Sequence, residues 1–496
     1  GRAGGRQDLR LTIAEYDEYV AYSRQHFEEG LIRAGYIEGD TGWRGTIAHP
    51  SGSTDVVITF RARFPFQPPR VVPVDPDSVA WSWHRELDGA LCLVADDDHD
   101  DLWWTEASAF LEHVTAWFEQ ADAGWSDDRP DLDLERYFHP SEDERLYLYD
   151  DLAGYPNGFV RFRPSSNNTM RIGSGTRPPK ASKHSKDRFG YFADHGHIHV
   201  PPRSWQDVAA RIAPDVDLDR RIRNHLVDIV VLIYRRSIHD GATVLEVWPT
   251  EDGGTAVRRL RAAADTTAAK TARAGLVAPH LHEARVAIVG IGALGSFTAD
   301  MLVRAGVRHL TLIDDDIVMP GNLIRHLVGP EMVGLPKVTA VKRHLVGRHE
   351  IAADDIQVFD KAASSGDVVM ELLASHDLVV DTSADFATTA LLHVAARSAR
   401  KLIISASIQN DGAAYRVDLL PPLEGADPLP NSTVVVGQRP PAAFEAGCGS
   451  PISPTPPHVA VEAASATVRH VIGLLIESPV HPSGEVRNLV DPARTA

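Results

Sequence analysis

Three glycines spaced as Gly290-Ile-Gly292-Ala-Leu-Gly295 follow the apolar run Val286-Ala287-Ile288-Val289, and a helical pattern from Ser296 to Ala305 comes next. A strand, a glycine turn and a helix in that order let backbone approach a phosphate where the helix N-terminus favours an anion. A second apolar run, His309 to Ile313, ends in Asp314-Asp315-Asp316, and an acidic residue roughly 20 positions beyond such a loop can take a ribose hydroxyl. To that point any Rossmann nucleotide binder fits. The sequel is narrower: Met319-Pro-Gly-Asn322-Leu-Ile-Arg325-His326, then Gly334-Leu-Pro-Lys337. Asn, Arg and Lys just past the second strand have no task in hydride transfer, whereas an enzyme attacking the α-phosphate of ATP must stabilise charge there. Two thiols are the other reactive groups, Cys92 in Gly89-Ala-Leu-Cys92-Leu93 and Cys448 in Glu445-Ala-Gly-Cys448-Gly. A loop thiol flanked by two glycines has the access and mobility of a nucleophile that must swing onto an acyl group.

These residues need elements to position them. Apolar residues from Leu11 to Gly35 recur at helical spacing, and Trp43 to His49 and Val56 to Phe64 read as a hairpin about a Pro50-Ser-Gly-Ser turn. Phe64-Pro-Phe-Gln-Pro-Pro69 forces an extended chain and a bend before another strand. Trp103-Trp104 opens a helical pattern through Phe118. Ser204 to Ile212 and Leu218 to Tyr234 read as helices, Leu402 to Ile408 and Ala413 to Leu420 as strands, and about His458 to Ile476 as a closing helix. Ten prolines between Pro421 and Pro457 mark a long irregular segment around Cys448.

In the second half, the glycine loop, the Asp, Asn322-Leu-Ile-Arg325, Gly334-Leu-Pro-Lys337 and a later strand end with Asp381 occur in the order found in the ThiF/MoeB/ubiquitin-activating adenylyltransferase family, which this region resembles. The resemblance implies that Gly290, Gly292 and Gly295 cradle phosphate, that Asp314 holds the ribose, and that Asn322, Arg325 and Lys337 meet the phosphates of ATP. It also implies a Mg²⁺-binding aspartate, which is Asp385, one residue off the family's usual spacing, or alternatively Asp381. Cys448 then corresponds to the crossover-loop cysteine of ubiquitin-activating relatives. Such adenylation domains commonly pair two-fold, and an arginine reaching the partner's ATP is sought in Arg258, Arg259 or Arg261.

The first ~140 residues resemble a ubiquitin-conjugating fold through Phe64-Pro-Phe-Gln-Pro-Pro69, Gly89-Ala-Leu-Cys92-Leu93 and the following tryptophans. That likeness implies that Cys92 forms a thioester. It departs from the family at His84-Arg85-Glu86, where His-Pro-Asn is expected, so the asparagine credited with oxyanion stabilisation is missing. His84 reads as structural, and the acidic run Asp96 to Asp101 as a solvated loop of which one carboxylate could orient or deprotonate an incoming lysine.

The expected fold is therefore a multidomain chain of α/β and α+β class. It comprises a ubiquitin-conjugating-like α+β domain over 1–140, an α+β linker domain over 141–273 and a Rossmann-like ThiF adenylation domain over 274–496. As a whole it looks like bacterial fusions of antiviral, CBASS-type or ubiquitin-like operons. Those use ATP and Mg²⁺ to activate the C-terminus of a ubiquitin-like protein or a cGAS-like nucleotidyltransferase and attach it to an acceptor lysine. A sulfur-carrier adenylyltransferase with a passive N-terminal domain, and a non-enzymatic nucleotide-binding scaffold, are the rival readings. In the linker, His195, His197 and His199 with Ser204 and Asp207 superficially resemble a deubiquitinase zinc signature. The spacing is three residues short, and a strand leading to a Ser204-capped helix is preferred.

Composition bounds these readings. With 496 residues and 43% hydrophobic content the chain has room for about three cored domains. A net charge of −18 argues against nucleic acid as the main partner. No apolar run approaches ~18 residues and no signal-peptide pattern opens the chain, so the expectation is a soluble, cytoplasmic protein without membrane contact. The two cysteines are too few for a Cys-only zinc site, and a disulfide is disfavoured in that compartment. The opening Gly-Arg-Ala-Gly-Gly reads as a cloning remnant or as the end of something fused ahead.

Overall fold

The computed structural model describes residues 13–94, 102–125, 134–150, 158–173, 186–235, 240–349, 351–431 and 453–490. The chain divides into two compact units, Gly1–Thr266 and Thr267–Ala496. The first break in chain organisation therefore falls before residue 273, because the last strand of the first unit ends at Ala264 and a new helix begins at Thr267.

The first unit opens with helix α1 (Ile13–Arg33), a four-stranded antiparallel meander and helix α2 (Ala107–Asp122). The strands are β1 (Ile37–Gly39), β2 (Gly42–His49), β3 (Gly52–Thr59) and β4 (Arg70–Pro73), in that spatial order. Alternation places Val56 and Ile58 of β3 inward, where they meet Phe27 and Leu31 of α1 and Phe110 and Val114 of α2.

The same unit continues into an eight-stranded mixed sheet. Its strands are β5 (Leu146–Tyr149), β6 (Gly158–Pro164), β7 (Thr169–Gly173), β8 (Arg188–His197), β9 (Ile229–Arg235), β10 (Asp240–Pro249), β11 (Thr255–Arg259) and β12 (Arg261–Ala264). Their spatial order is β11-β10-β9-β8-β6-β7-β5-β12, with short helices α3 (Trp205–Ala209) and α4 (Leu218–Arg223) between β8 and β9. Leu134 and Phe138 already belong to the core of this sheet, ahead of residue 141.

One helix expectation fails here. The segment Leu218 to Tyr234 is helical only to Arg223, and Ile229 to Tyr234 is a strand buried at every position. The run Ile-Val-Val-Leu-Ile-Tyr is apolar all round and β-branched, which suits a central strand covered on both faces better than an amphipathic helix. Ser204 behaves as the capped-helix reading requires. Asp194 Oδ1 accepts from Gly196 N, and Ser204 and Asp207 form a reciprocal capping box at the start of α3.

The second unit is a doubly wound sheet with strand order β15-β14-β13-β16-β17-β18-β19. Helix α5 (Thr267–Thr271) precedes β13 (Arg285–Val289), α6 (Ala293–Ala305), β14 (His309–Ile313), α7 (Lys337–His349) and β15 (Ile356–Phe359). Then come α8 (Gly366–Ser375), β16 (Leu378–Asp381), α9 (Phe386–Ser398), β17 (Ile403–Gln409), β18 (Ala414–Leu420), α10 (Pro457–Leu475) and β19 (Gly484–Asn488). Strands β15 to β17 run parallel and the last two pair antiparallel. Val286 and Ile288 face the core built with α6, α7 and α10, while Ala287 and Val289 face the core of α8 and α9. The order in which strands are added to the sheet reverses between the parallel neighbours β13 and β16, the crevice where open α/β sheets receive ligands. Among the described residues no helix is long and apolar enough to cross a membrane.

Candidate active site

At the C-terminal end of β13 the chain turns through Gly290, whose φ of +86° is left-handed. A Cβ there would sit 2.4 Å from the Ser383 Cα, so the loop after β13 and the loop after β16 touch through bare backbone. Thr382 Oγ1 seals that contact by donating to Gly290 O at 2.6 Å. Gly295 serves packing: its Cβ would meet Gly290 O at 1.9 Å. Gly292 is different, because a Cβ there would enter open space. It occupies the N-cap of α6, and no side chain caps the first turn. The amides of that turn are left for a ligand.

Asp314 is half committed to the loop. Its Oδ2 accepts from Ile291 N at 2.6 Å and its Oδ1 from Asp316 N at 2.9 Å. Lys337, the first residue of α7, is buried and reaches Asp316 Oδ2 at 2.7 Å and Asp314 Oδ1 at 4.0 Å. A cavity of about 350 Å³ brings together Gly290, Gly292, Asp314, Lys337, Ser383 and Asp385. A larger cavity of about 620 Å³, between β14, β15 and α8, contains none of the expected site residues.

Asn322 and Arg325 do not line the smaller cavity. Asn322 Oδ1 accepts from Met319 N at 2.9 Å and so shapes the turn that carries Arg325. Arg325 is half-buried and, among the described residues, pairs with no carboxylate. What ties this segment to the glycine loop is His326, a residue without a role in the sequence reading. It is buried, its Nε2–H donates to Ile291 O at 2.9 Å, and its Nδ1 accepts from Val328 N. Burial pushes its pKa down, and the two hydrogen bonds select that tautomer. The only sequence signal is a histidine between Arg325 and the apolar pair Leu327-Val328.

The two aspartates offered for a metal are unlike. Asp381 is 1% exposed and fully occupied: Oδ1 accepts from the backbone and hydroxyl of Ser383, Oδ2 from the hydroxyls of Thr389 and Ser405. Asp385 is exposed at the N-cap of α9, where one oxygen accepts from Thr388 N and Oγ1, bonds that lower its pKa. Ala384 before it is held at φ +55°, the left-handed region that turns the chain back toward the cavity rim.

Cys92 lies in a separate loop of the first unit, half-buried. Its N–H donates to His84 O at 2.9 Å and its carbonyl accepts from Trp117 Nε1 at 3.1 Å. Arg85, at the place of the missing proline, is 3% exposed and donates to Gly89 O and Val79 O, so its guanidinium is the buried strut of this loop. Glu86, where the asparagine is expected, pairs with Arg61 at 2.6 Å. His84 stacks on Trp125 with ring centroids 3.5 Å apart. Cys448 and the run Asp96 to Asp101 lie outside the described residues.

Arg258 pairs with Glu142 at 2.9 Å and Arg259 approaches Glu135 at 3.8 Å, both inside the first unit, while Arg261 is exposed on β12. Among the described residues no group of three or more His, Cys, Asp or Glu could hold a metal ion, and this includes the His195 segment.

The ThiF family profile matches residues 270–489. That stretch is a ThiF family domain. The chain is 38% identical over 121 residues to the uncharacterised protein y4oA of Sinorhizobium fredii (strain NBRC 101917 / NGR234), covering 22% of this chain and 20% of that protein. It is 38% identical over 89 residues to ubiquitin-like modifier-activating enzyme 5 of Drosophila mojavensis, 16% of this chain and 22% of that one. With the sulfur carrier protein ThiS adenylyltransferase of Bacillus subtilis (strain 168) it shares 34% over 119 residues, 23% of this chain and 34% of the relative. E. coli MccB with ATP overlays with a TM-score of 0.32 at 20% identity, covering 42% of this chain and 60% of that chain. The chain thus spans about a fifth to a third of the length of these curated relatives.

Proposed function

We propose that the ThiF domain adenylates the C-terminal carboxylate of a partner protein, either ubiquitin-like or a cGAS-like nucleotidyltransferase, and that the first unit passes the acyl group to an amine. The observation that carries the reading is the cavity at the switch point, where the open first turn of α6, Lys337 and two exposed or rim carboxylates converge. The residues fit magnesium ATP: Gly292 leaves room for phosphate, Asp314 faces the ribose side, and Asp385 rather than the saturated Asp381 is the carboxylate available to Mg²⁺. Bound there, the metal would neutralise phosphate charge and orient the leaving group.

The partner's carboxylate oxygen attacks the α-phosphorus, forming the acyl-adenylate and releasing pyrophosphate, while Lys337 and Arg325 neutralise the developing charge. The Cys448 thiolate then attacks the acyl carbon and AMP leaves. Cys92 takes the acyl group by thioester exchange, freeing the Cys448 thiolate. Finally an acceptor lysine amine attacks, the Cys92 thiolate departs and the nitrogen gives its proton to solvent. Pairing of two ThiF domains, with an arginine such as Arg261 donated across, completes the proposal.

The test follows the acyl group. Cys448→Ala is expected to retain partner-dependent ATP–pyrophosphate exchange but to load neither thiol, and Cys92→Ala to accumulate a reducible adduct on Cys448. Normal loading of Cys92 in the Cys448→Ala chain would mean direct transfer from AMP. A Cys92→Ala chain with full product formation would return the protein to the sulfur-carrier class.

A further inference from the structure

We infer that Arg136 is the cationic partner of the Cys92 sulfur, stabilising its thiolate both when it attacks and when it is expelled. The inference rests on the conjugating role proposed for Cys92 and adds a residue that no motif of the sequence points to. Arg136 Nη2 lies 4.0 Å from Cys92 Sγ, although 44 residues separate them. Arg136 is exposed and, among the described residues, its guanidinium pairs with no carboxylate. A cation at that distance favours the charged form of a thiol.

The placement is built from both sides. Arg136 sits in the short turn Leu134–Tyr137, whose Leu134 and Tyr137 are buried. Tyr137 Oη donates to Trp83 O at 2.7 Å, and Leu134 N donates to Tyr234 Oη at 3.2 Å. The next residue after Trp83, His84, accepts the Cys92 N–H through its carbonyl. Turn and cysteine are therefore fastened to adjacent residues, the turn to Trp83 and the cysteine to His84, which brings Arg136 beside the sulfur. Among the described residues near Cys92, the other titratable or charged side chains are held elsewhere. Tyr137 is neutral because burial raises its pKa. His113 is bonded to Leu93 O at 2.6 Å, Arg85 is turned to Gly89 O and Val79 O, and the His84 ring lies on Trp125.

In the transfer step, the acceptor amine nitrogen bonds to the acyl carbon, the carbon–sulfur bond breaks with both electrons going to Sγ, and the nitrogen releases one proton to solvent. The new thiolate appears beside a guanidinium that keeps its charge at every accessible pH. This supplies transition-state stabilisation at the sulfur, a different atom from the oxyanion that the absent asparagine would have served.

The experiment follows alkylation of Cys92 by iodoacetamide across pH 5.5 to 9.5 in the full chain, read on the Cys92 peptide by mass spectrometry. It needs no partner, so it reports on Arg136 whatever becomes of the conjugation reading, which is tested separately by thioester loading. Arg136→Ala is expected to raise the midpoint by about half a unit to one unit, slowing alkylation near pH 7 roughly three- to tenfold. Arg136→Lys is expected to recover at least half of that shift, and added salt to narrow the gap between wild type and Arg136→Ala because the pair is solvent-exposed. An unchanged midpoint in Arg136→Ala overturns the inference. So does a Lys variant shifted as far as Ala, since lost structure rather than lost charge would then explain both.

Discussion

The glycine loop of the ThiF domain and the Cys92 loop of the first unit are both short runs of backbone, and they are held in different ways. At Gly290 the glycine loop is fixed by main chain against main chain, with the side chains of Thr382, Asp314 and His326 bonded to it besides. Gly290 rests on Ser383, and Gly290 N donates to Ile313 O at 2.8 Å. The Cys92 loop is fixed by side chains reaching backbone: Arg85 to Gly89 O, Trp117 to the Cys92 carbonyl, Tyr137 to Trp83 O. A backbone contact admits only one residue type, so it writes itself into the sequence as a glycine pattern. A side-chain strut can be replaced by another of similar reach, so the same loop survives with Arg85 where a family pattern has proline.

If the glycine loop is a scaffold and the chemistry lies in the side chains around it, scaffold and chemistry should separate. Lys337→Ala and Arg325→Ala are expected to lower partner-dependent ATP–pyrophosphate exchange by about 10²- to 10³-fold while thermal unfolding of the second unit stays close to wild type. Wild-type exchange in folded variants would sink the phosphate assignment, and binding of NAD without ATP would move the domain to another class.

The glycines then divide by role. Gly290→Ala forces a Cβ into backbone at a left-handed position and is expected to destabilise the second unit by about 3 kcal/mol. Gly292→Ala meets open space at an ordinary backbone angle, so it should fold normally and lose nucleotide affinity instead. Calorimetry of the two variants beside a nucleotide titration decides it; equal destabilisation by both would erase the distinction between packing and phosphate glycines. In the first unit the matching change is Arg85→Met, which leaves Gly89 O and Val79 O without donors. A loss of about 2 kcal/mol in urea unfolding is expected, with slower Cys92 loading. A stable, fully active Arg85→Met chain would show that the loop does not need its strut.

The aspartates give a finer version of the same contrast. Asp381→Asn breaks a saturated buried carboxylate and should destabilise the second unit by about 1 to 3 kcal/mol. Asp385→Asn keeps a good N-cap acceptor, so stability should stay within about 0.5 kcal/mol while the Mg²⁺ concentration needed for exchange rises. The reverse pattern would hand the metal to Asp381.

These cases also say why the sequence was readable in some places and opaque in others. The strand, loop and helix around Gly290 were legible because the chemistry, the turn and the periodicity lie within about 20 neighbouring residues. The meander and the flanking helices of the first unit followed from alternation and helical spacing in the same way. His326, Arg85 and the Arg136 contact were hidden because each acts on a distant stretch or on a backbone carbonyl, and pairing across the fold leaves no local pattern. The strand Ile229–Arg235 was misread because an apolar run buried on every side has no periodicity to separate strand from helix. The sequence reading prefers Asp385 to Asp381 without a physical ground, which only burial supplies: Asp381 has both oxygens bonded inside the fold, whereas Asp385 is exposed.

The smallest expected effect compares two buried histidines, one in each unit. His195 on β8 has its Nε2 buried with no hydrogen-bond partner, and burial with help from Arg211 lowers its pKa to about 4, against a small opposing pull from Asp194. His326 is also pushed down by burial, but both of its ring nitrogens are bonded. For a histidine whose folded pKa lies below its unfolded value of about 6.5, the unfolded chain binds the extra proton first. The stabilising neutral form is fully effective above about pH 6.5, and its contribution is lost as pH falls through the window from about 6.5 to about 4. Between pH 6.5 and 5.5, above the range where most carboxylates titrate, His195 should remove about 1 kcal/mol from the first unit. Hydrogen exchange of the β8 and β9 peptides in the full chain, corrected for intrinsic pH dependence, measures that loss directly. His195→Gln should flatten the slope in those peptides and leave the peptides of α6 and β13 unchanged. An undiminished slope in His195→Gln would shift the acid sensitivity of the first unit to some other group.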